Sequence, residues 1–278
     1  MKIPFEDNFE DVLNKAMHGL GLTPVALSRQ TGLPPVRIES VLDGNFDSGI
    51  VITLTRALKL HGPSLFELAT KGWYPQEVRM DGLAMFNTPC PVPGYQEMTV
   101  NNYLVWDPVS KKAAAFDTGA DVTEMLEVIE NNRLDLSLVC LTHKHDDHIQ
   151  ALPELLAATG NPPVHTNILE PVPGAETFEE GKALSCGYLQ IETCLTAGHS
   201  PGGTTYVISG LEFPLAIVGD SIFSCSMGGA YGHYNAAREM IVDQILSLPD
   251  ETILCPGHGP MTTVEQELEH NPFFAESE

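Results

Sequence analysis

Three histidines and two aspartates occupy six consecutive positions of this 278-residue chain, in the segment HKHDDH at residues 143–148. Such a density of imidazoles and carboxylates is hard to explain by packing. Neutral imidazoles together with carboxylates suit Zn, Mn or Fe, whereas an all-oxygen site would suit Mg or Ca. His143 and His145 can project to one side of a loop, while Asp147 and His148 lie where the next helix begins. One loop can therefore offer ligands to two metal ions.

Three later segments each place one more metal-binding side chain just after a predicted strand. They are TAGHSPGG with His199, VGD with Asp220, and PGHGP with His258. The glycines permit backbone turns that side chains would block. The ordered set of four segments predicts a metal site. The alternative, a histidine-rich acidic loop without metal, would leave five of the ten histidines gathered in these segments without a function.

The elements that must position these residues divide the chain into two parts. Residues 1–76 are predicted to be all-helical, whereas residues 77–278 alternate short β-type runs with turns and a few helices. The first part has seven basic and eight acidic residues, a net charge of −1, and the second has 7 basic and 29 acidic residues, a net charge of −22. The second part repeats a helix, a strand and a His-bearing loop, which indicates two similar αβ halves. Helices are predicted at 9–17, 24–31, 35–42, 52–60, 64–70, 121–131 and 236–248, the last two behind Asp121 and Asn235, and strands at 78–86, 98–106, 113–116, 136–141, 190–195, 204–208, 214–218 and 252–254.

The composition disfavours several broad classes of protein. Hydrophobic residues make up 43% and charged residues 18%, which is typical of a globular rather than a disordered chain. A formal net charge of −23 would repel a phosphate backbone, which disfavours a general nucleic-acid binder. No apolar stretch approaches the ~18 residues of a membrane span and the acidic start lacks an apolar signal core, so we expect a cytoplasmic protein. The cysteines form no CxxC pair and are expected to be reduced core residues; they are Cys90, Cys140, Cys186, Cys194, Cys225 and Cys255.

The four segments resemble the metallo-β-lactamase superfamily, whose pattern is HxHxDH, then a later His, a bridging Asp and a final His. The resemblance covers about residues 80–278 and implies an α/β fold, the αββα sandwich, with a binuclear site at one edge; the small all-α domain precedes it. Asp117, in the segment FDTG, matches an earlier Asp motif and is implied to support the metal loop without binding metal. The implied ligands are His143, His145 and His199 for one metal, Asp147, His148 and His258 for the other, and Asp220 as the bridge.

Within this superfamily the chain is similar to glyoxalase II-like thioester hydrolases, and the tail PGHGPMTT with the later HNPFF carries that similarity. The resemblance implies two divalent ions, Zn first and Fe or Mn as alternatives, and a small-molecule acyl thioester or related ester as substrate. A water shared by two ions would ionise near pH ~7, and the hydroxide would attack the carbonyl directly while Asp147 or Asp220 orients it. Tyr231, His233 and Tyr234 fall in the segment that edges the substrate cleft in that group; an aromatic cluster that closes the core is the competing interpretation.

Three other functions stay open. Persulfide dioxygenases of the same superfamily hold one iron with two His and one Asp, whose counterparts would be His143, His199 and Asp220. A lactonase belongs to the same hydrolase class. The run LTPVALSRQTGLPPVRIESVLDG resembles phage-repressor-like helix-turn-helix proteins, which implies a DNA-binding regulator with a metal-containing sensor domain. Only Arg37 is basic near the start of the groove-facing helix, so docking or dimerisation of the helical domain, as in a homo-oligomer, is the favoured alternative.

Overall fold

Five helices form the N-terminal region of the computed structural model, which describes residues 2–94 and 98–275. Polar side-chain caps set where the second and fourth helices begin: Thr23 Oγ1 accepts a hydrogen bond from Ala26 N, and Asp47 Oδ1 accepts one from Ile50 N. The cap at Asp47 explains why the fourth helix begins four residues before the predicted position 52. The fifth begins two residues before the predicted position 64. The helices are α1 (Phe9–Gly19), α2 (Pro24–Thr31), α3 (Pro35–Leu42), α4 (Ser48–Leu58) and α5 (Gly62–Thr70).

Two sheets flanked by helices form the rest of the described chain. The first sheet contains β1 (Leu83–Pro89), β2 (Thr99–Trp106), β3 (Lys112–Phe116), β4 (Asp135–Cys140), β5 (Val164–Asn167) and β6 (Glu176–Phe178), in that spatial order. The second contains β7 (Ala183–Cys186), β8 (Leu189–Leu195), β9 (Thr204–Ser209), β10 (Leu215–Gly219), β13 (Ile253–Pro256) and β14 (Thr262–Thr263), in the order β14-β13-β10-β9-β8-β7. A separate hairpin joins β11 (Ile222–Phe223) to β12 (Ser226–Met227). The helices are α6 (Thr123–Asn132), α7 (Asp146–Ile149), α8 (Leu152–Thr159), α9 (Tyr234–Gln244) and α10 (Val264–His270).

Alternation along the strands builds the layers, because successive side chains of a strand point to opposite faces of a sheet. In β4, Leu138 and Cys140 join a hydrophobic cluster that contains residues of both sheets, whereas Val139 joins the cluster with α6 and α8. In β10, Ile217 belongs to the cluster between the sheets and Val218 to the cluster with α9 and the N-terminal helices. The order of layers is therefore helix, sheet, sheet, helix, as the resemblance implied.

Several predicted boundaries are wrong by a few residues. The strand predicted at 78–86 is observed as β1, from 83 to 89, and the strand predicted at 252–254 extends to 256. The strands β5, β6 and β7 were missed because each has only three or four residues and lacks a long apolar run. The helix predicted behind Asn235 begins at Tyr234 and ends at Gln244, and α6 begins at Thr123, two residues after Asp121.

The N-terminal helices and the outer face of the second sheet share one hydrophobic cluster. Leu13 of α1 and Leu54 of α4 belong to it together with Ala216, Leu254 and Phe273 of the second part of the chain. The segment that joins α5 to β1, which contains the predicted domain boundary, has no helix or strand. No helix in residues 2–94 or 98–275 combines the length and apolarity that crossing a membrane requires. All six cysteines lie in this described part and none is in a disulfide.

Glu267 of α10 is a fully buried carboxyl group whose ionisation should cost stability. It accepts hydrogen bonds from Cys225 N at 3.0 Å, Asn271 Nδ2 at 2.7 Å and Thr262 Oγ1 at 2.8 Å, yet burial still raises its pKa from 4.5 to about 7. The folded protein thus holds this proton more tightly than the unfolded chain, so stability falls as pH rises between these values. As pH rises over that interval, the free energy of unfolding of Glu267→Gln should therefore increase relative to that of the wild type, by at most ~3 kcal/mol.

Denaturant unfolding at pH 5, 6, 7 and 8 measures this difference. Both proteins carry the same histidines, so the difference between them isolates Glu267. A gap that does not change with pH would show that this carboxyl group does not titrate in the window.

Candidate metal centre

Every predicted metal-binding side chain follows the C-terminal end of a strand. The strand β4 leads into the loop that holds His143 and His145, β8 leads into the turn with His199, β10 ends directly before Asp220, and β13 ends two residues before His258. The strands β3 and β4 are parallel neighbours, and so are β10 and β13. Parallel neighbours end at the same edge of a sheet, so the topology delivers these loops to one place.

Three imidazole nitrogens form the first part of the cluster, which we term the histidine subsite. His143 Nε2 lies 2.9 Å from His145 Nδ1, and His199 Nε2 lies 3.0 Å from the same atom. His143 is almost fully buried, whereas His145 is exposed at the mouth of the site. The subsite thus has a buried inner wall and one side that opens to solvent.

One carboxylate and two imidazoles form the second part, which we term the mixed subsite. Asp147 Oδ2 lies 3.4 Å from His258 Nε2 and 3.8 Å from His148 Nε2. Asp147 and His148 belong to α7, a single turn, and His258 approaches from the opposite sheet. The three ligand atoms are close enough to surround one cation.

Asp220 lies between the two subsites. Its Oδ2 is 3.5 Å from His199 Nε2, 3.4 Å from His258 Nε2 and 4.0 Å from His143 Nε2. Its Oδ1 is 3.4 Å from His148 Nε2. The structure therefore brings all seven predicted side chains together, with one carboxylate in contact range of both subsites.

Asp117 fixes both ends of the segment from Thr142 to His148 through hydrogen bonds. Its Oδ1 accepts a hydrogen bond from Thr142 N at 2.8 Å, and its Oδ2 accepts one from Thr142 Oγ1 at 2.7 Å and lies 2.8 Å from His148 Nδ1. Because the Thr142 hydroxyl donates to Asp117, it can accept from His143 Nδ1, which is 3.1 Å away. In their neutral form both histidines then carry their proton on Nδ1 and present Nε2 to the centre.

Burial and nearby charge divide the histidines into two groups. Burial lowers the pKa of His143 and of His199 below 6.5, so both are neutral. For His148, burial acts in the same direction, but the Asp220 and Asp117 carboxylates outweigh it and raise the pKa to about 10. The pKa of His258 is also raised well above its usual range, because Asp220 outweighs burial. The mixed subsite therefore lies in a negative potential that favours positive charge.

The atoms of the cluster fit divalent cations. The three nitrogens of the histidine subsite cannot satisfy one another, because neutral imidazoles offer one N–H each and Nδ1 of His143 is already directed at Thr142. Among the described residues, His148 Nε2 and Asp220 Oδ1 are buried and have no hydrogen-bond partner. Such groups cost ~1–3 kcal/mol each when left unsatisfied, and a cation would satisfy them. Imidazole with carboxylate suits Zn, Mn or Fe.

Three residues beside the site had no signal in the sequence. Thr99 O lies 2.7 Å from His258 Nδ1, and Asn101 Nδ2 donates to Pro256 O at 2.9 Å, which fixes the loop that holds His258. Glu6, from the N-terminal region, lies 3.7 Å from the same Nδ1, and burial raises its pKa to about 7. All three approach through long-range packing, so no local motif could have identified them.

The predicted substrate-contact residues occupy different environments. Tyr231 is 72% exposed and His233 is exposed. Tyr234 is buried in the cluster shared with the N-terminal helices, where its ring faces Gly19 so closely that a Cβ added there would lie 2.4 Å away. For Tyr234 the packing agrees with the competing interpretation, an aromatic residue that closes the core. For Tyr231 and His233, contact with a substrate stays a prediction.

Comparisons with known proteins converge on one family. A sequence profile described as the Metallo-beta-lactamase superfamily matches residues 95–185. The hydroxyacylglutathione hydrolase GloC of Haemophilus influenzae is 29% identical over 212 residues, which cover 66% of this chain and 95% of that protein. The Bacillus subtilis protein named "Probable metallo-hydrolase YqgX" is 30% identical over 182 residues, 57% of this chain and 85% of that protein. The crystal structure of the BLEG-1 B3 metallo-beta-lactamase is 26% identical and superimposes with a TM-score of 0.57 over 69% of this chain and 100% of that one.

Proposed function

We propose that this chain, which belongs to the metallo-β-lactamase superfamily, hydrolyses acyl thioesters or closely related esters with the aid of two divalent ions, Zn before Fe or Mn. The observation that carries the proposal is the position of Asp220. Its two oxygens lie within 3.5 Å of His148, His199 and His258, so one carboxylate can serve both the histidine subsite and the mixed subsite. Bound there, two cations would make a water acidic near pH ~7 and polarise an acyl carbonyl.

The chain supplies the carboxylates that orient this water. Both Asp147 and Asp220 are ionised at neutral pH: burial opposes the charge, but neighbouring histidines outweigh it and lower both pKa values. The Asp147 side chain is 14% exposed and that of Asp220 is 6% exposed. We therefore assign to Asp147 the transfer of a proton from the attacking water to solvent. To Asp220 we assign the orientation of that water.

The thioester class is supported by similarity to a relative, GloC, whose name describes a hydroxyacylglutathione hydrolase. A thiolate is a good leaving group, so such a bond needs little protonation as it breaks. No serine or cysteine nucleophile is required. We expect direct attack by water, and a trapped acyl-enzyme in rapid-quench mass spectrometry would contradict that expectation.

Elemental analysis followed by a substrate panel tests the proposal. The protein is purified without added metal, its ions are counted, and it is then assayed with a hydroxyacyl thioester, a lactone, a β-lactam and glutathione persulfide. We expect two ions per chain, thioester turnover, loss of activity after chelation and recovery with Zn²⁺. One iron per chain with sulfite formed from the persulfide would instead support a dioxygenase that uses His143, His199 and Asp220.

For the helical region we propose docking on the metal-binding part rather than contact with DNA. The hydrophobic cluster shared by α1, α4 and α9 supports docking. Arg37, the one basic residue of α3, donates to Asp47 Oδ2 at 2.7 Å. Its charge is thus paired within the helical region, which leaves α3 without the positive surface that a phosphate backbone requires.

A further inference from the structure

The N-terminal arm, residues 2–8, is fixed along its length before α1 begins. Tyr74 Oη donates a hydrogen bond to Ile3 O at 2.7 Å. The Asp7 carboxylate contacts the ammonium of Lys15 and accepts a hydrogen bond from a serine hydroxyl of β12. Lys15 Nζ in turn donates to a backbone carbonyl of β12 at 2.9 Å. The arm is therefore anchored at one end to the segment that follows α5 and at the other end to β12 of the second part of the chain.

Between these anchors the arm crosses the loop that holds His258. Gly259 adopts a φ of +76°, and a Cβ added there would lie 3.3 Å from Glu6 N, so the two backbones lie close together. The Glu6 side chain is only 13% exposed, and its Oε2 lies 3.7 Å from His258 Nδ1. The backbone oxygen of Thr99 lies 2.7 Å from the same Nδ1 and can accept a hydrogen bond from it. The other ring nitrogen, Nε2, is the one that faces Asp147 and Asp220.

We propose that Glu6 is a positioning residue for His258, and that through it the N-terminal arm strengthens divalent-ion binding at the mixed subsite. The Glu6 carboxyl group lies on the far side of the imidazole from the cation position, where its ionised form makes Nε2 a better electron-pair donor. The inference rests on the two-ion centre of the proposed function.

The carboxylates that lie beside Nδ1 of the predicted histidine ligands are concentrated at the mixed subsite. Asp117 lies 2.8 Å from Nδ1 of His148, and Glu6 lies beside Nδ1 of His258, so both histidines of the mixed subsite have a carboxylate behind them. In the histidine subsite, His143 Nδ1 faces only the Thr142 hydroxyl, and His199 Nδ1 has no hydrogen-bond partner among the described residues. Replacement of Glu6 should therefore weaken binding of the ion at the mixed subsite and leave the ion at the histidine subsite bound.

Zn²⁺ titration of chelator-stripped protein, in competition with a chromophoric chelator, tests this role. We expect two tight ions for the wild type. Glu6→Gln should keep one of them and bind the second about 10- to 100-fold more weakly, the range that loss of an outer partner produces. Glu6→Asp, which keeps the charge, should recover part of the loss. In a His258→Ala background, Glu6→Gln should change nothing further, because the ligand through which Glu6 acts is gone.

Glu212→Gln is the matched control, since it removes the same charge from an exposed loop between β9 and β10. It should bind two ions like the wild type. Equal affinities for the wild type and Glu6→Gln, or an equal loss in Glu212→Gln, would overturn the role of Glu6 while leaving the two-ion centre intact. A wild-type chain that binds a single ion would overturn both this inference and the two-ion function.

Discussion

Asp220→Asn should abolish thioester hydrolysis while leaving the fold intact. The amide cannot hold two cations, because one of its two oxygens is replaced by an NH₂ group that points its hydrogens at His148 or His258. Loss of a partner outside the ligand set costs ~10- to 100-fold, so loss of this central carboxylate should lower kcat/KM by more than 100-fold. Steady-state kinetics with a hydroxyacyl thioester and metal analysis of the same sample measure the effect.

Asp146→Asn is the control for this variant. Asp146 is exposed, precedes Asp147 at the start of α7 and belongs to neither subsite, so its replacement should leave kcat/KM within about twofold of the wild type. His145→Ala, which removes the nitrogen shared by His143 and His199, should be inactive like Asp220→Asn. Unchanged turnover in Asp220→Asn or His145→Ala would refute the assignment of the site.

Asp117→Asn should weaken metal binding although it replaces none of the predicted ligands. Asp117 has a φ of +54°, a conformation that asparagine tolerates well, so the backbone should not move. The carboxylate serves Thr142 N, Thr142 Oγ1 and His148 Nδ1, but an amide has one oxygen and cannot accept from all of them. One buried donor is then left facing another, at a cost of ~1–3 kcal/mol. We expect a 10- to 100-fold loss of Zn²⁺ affinity in chelator competition.

Asp121→Asn provides the comparison for Asp117→Asn. Asp121 Oδ1 accepts a hydrogen bond from Thr123 N at the exposed start of α6, where water can replace the contact. That variant should bind Zn²⁺ like the wild type. If Asp117→Asn also kept the wild-type affinity, the hydrogen bonds of Asp117 would not contribute to metal binding.

The sequence allowed the clustering of the predicted ligands to be anticipated because each segment that carries them follows a strand. The strands β4, β10 and β13 end one to three residues before His143, Asp220 and His258, and neighbouring parallel strands end at the same edge of a sheet. Asp117, which directly follows β3, was implied by the family resemblance of the segment FDTG. The order of layers was implied by the family resemblance rather than by strand patterns, because β10 is buried at every position and shows no alternation.

The contributions of the N-terminal region could not be predicted in this way. Glu6 lies more than 250 positions before His258, and nothing near it in the sequence indicates which loop it will meet. Its location follows from packing of the whole helical region, which local patterns do not encode. Tyr234 shows the converse, because its segment indicated a substrate cleft and the packing against Gly19 buried it.

The cluster shared by the N-terminal helices and the second sheet bears on which shortened forms of the chain would be stable. GloC is matched over 95% of its length by only 66% of this chain, so this chain is the longer of the two. Leu13 of α1 and Leu54 of α4 belong to the same buried cluster as Ala216 of β10 and Leu254 of β13. Deletion of the helices would expose apolar surface that is now shielded from water, so a chain cut back to residues 77–278 should be less stable than the full chain.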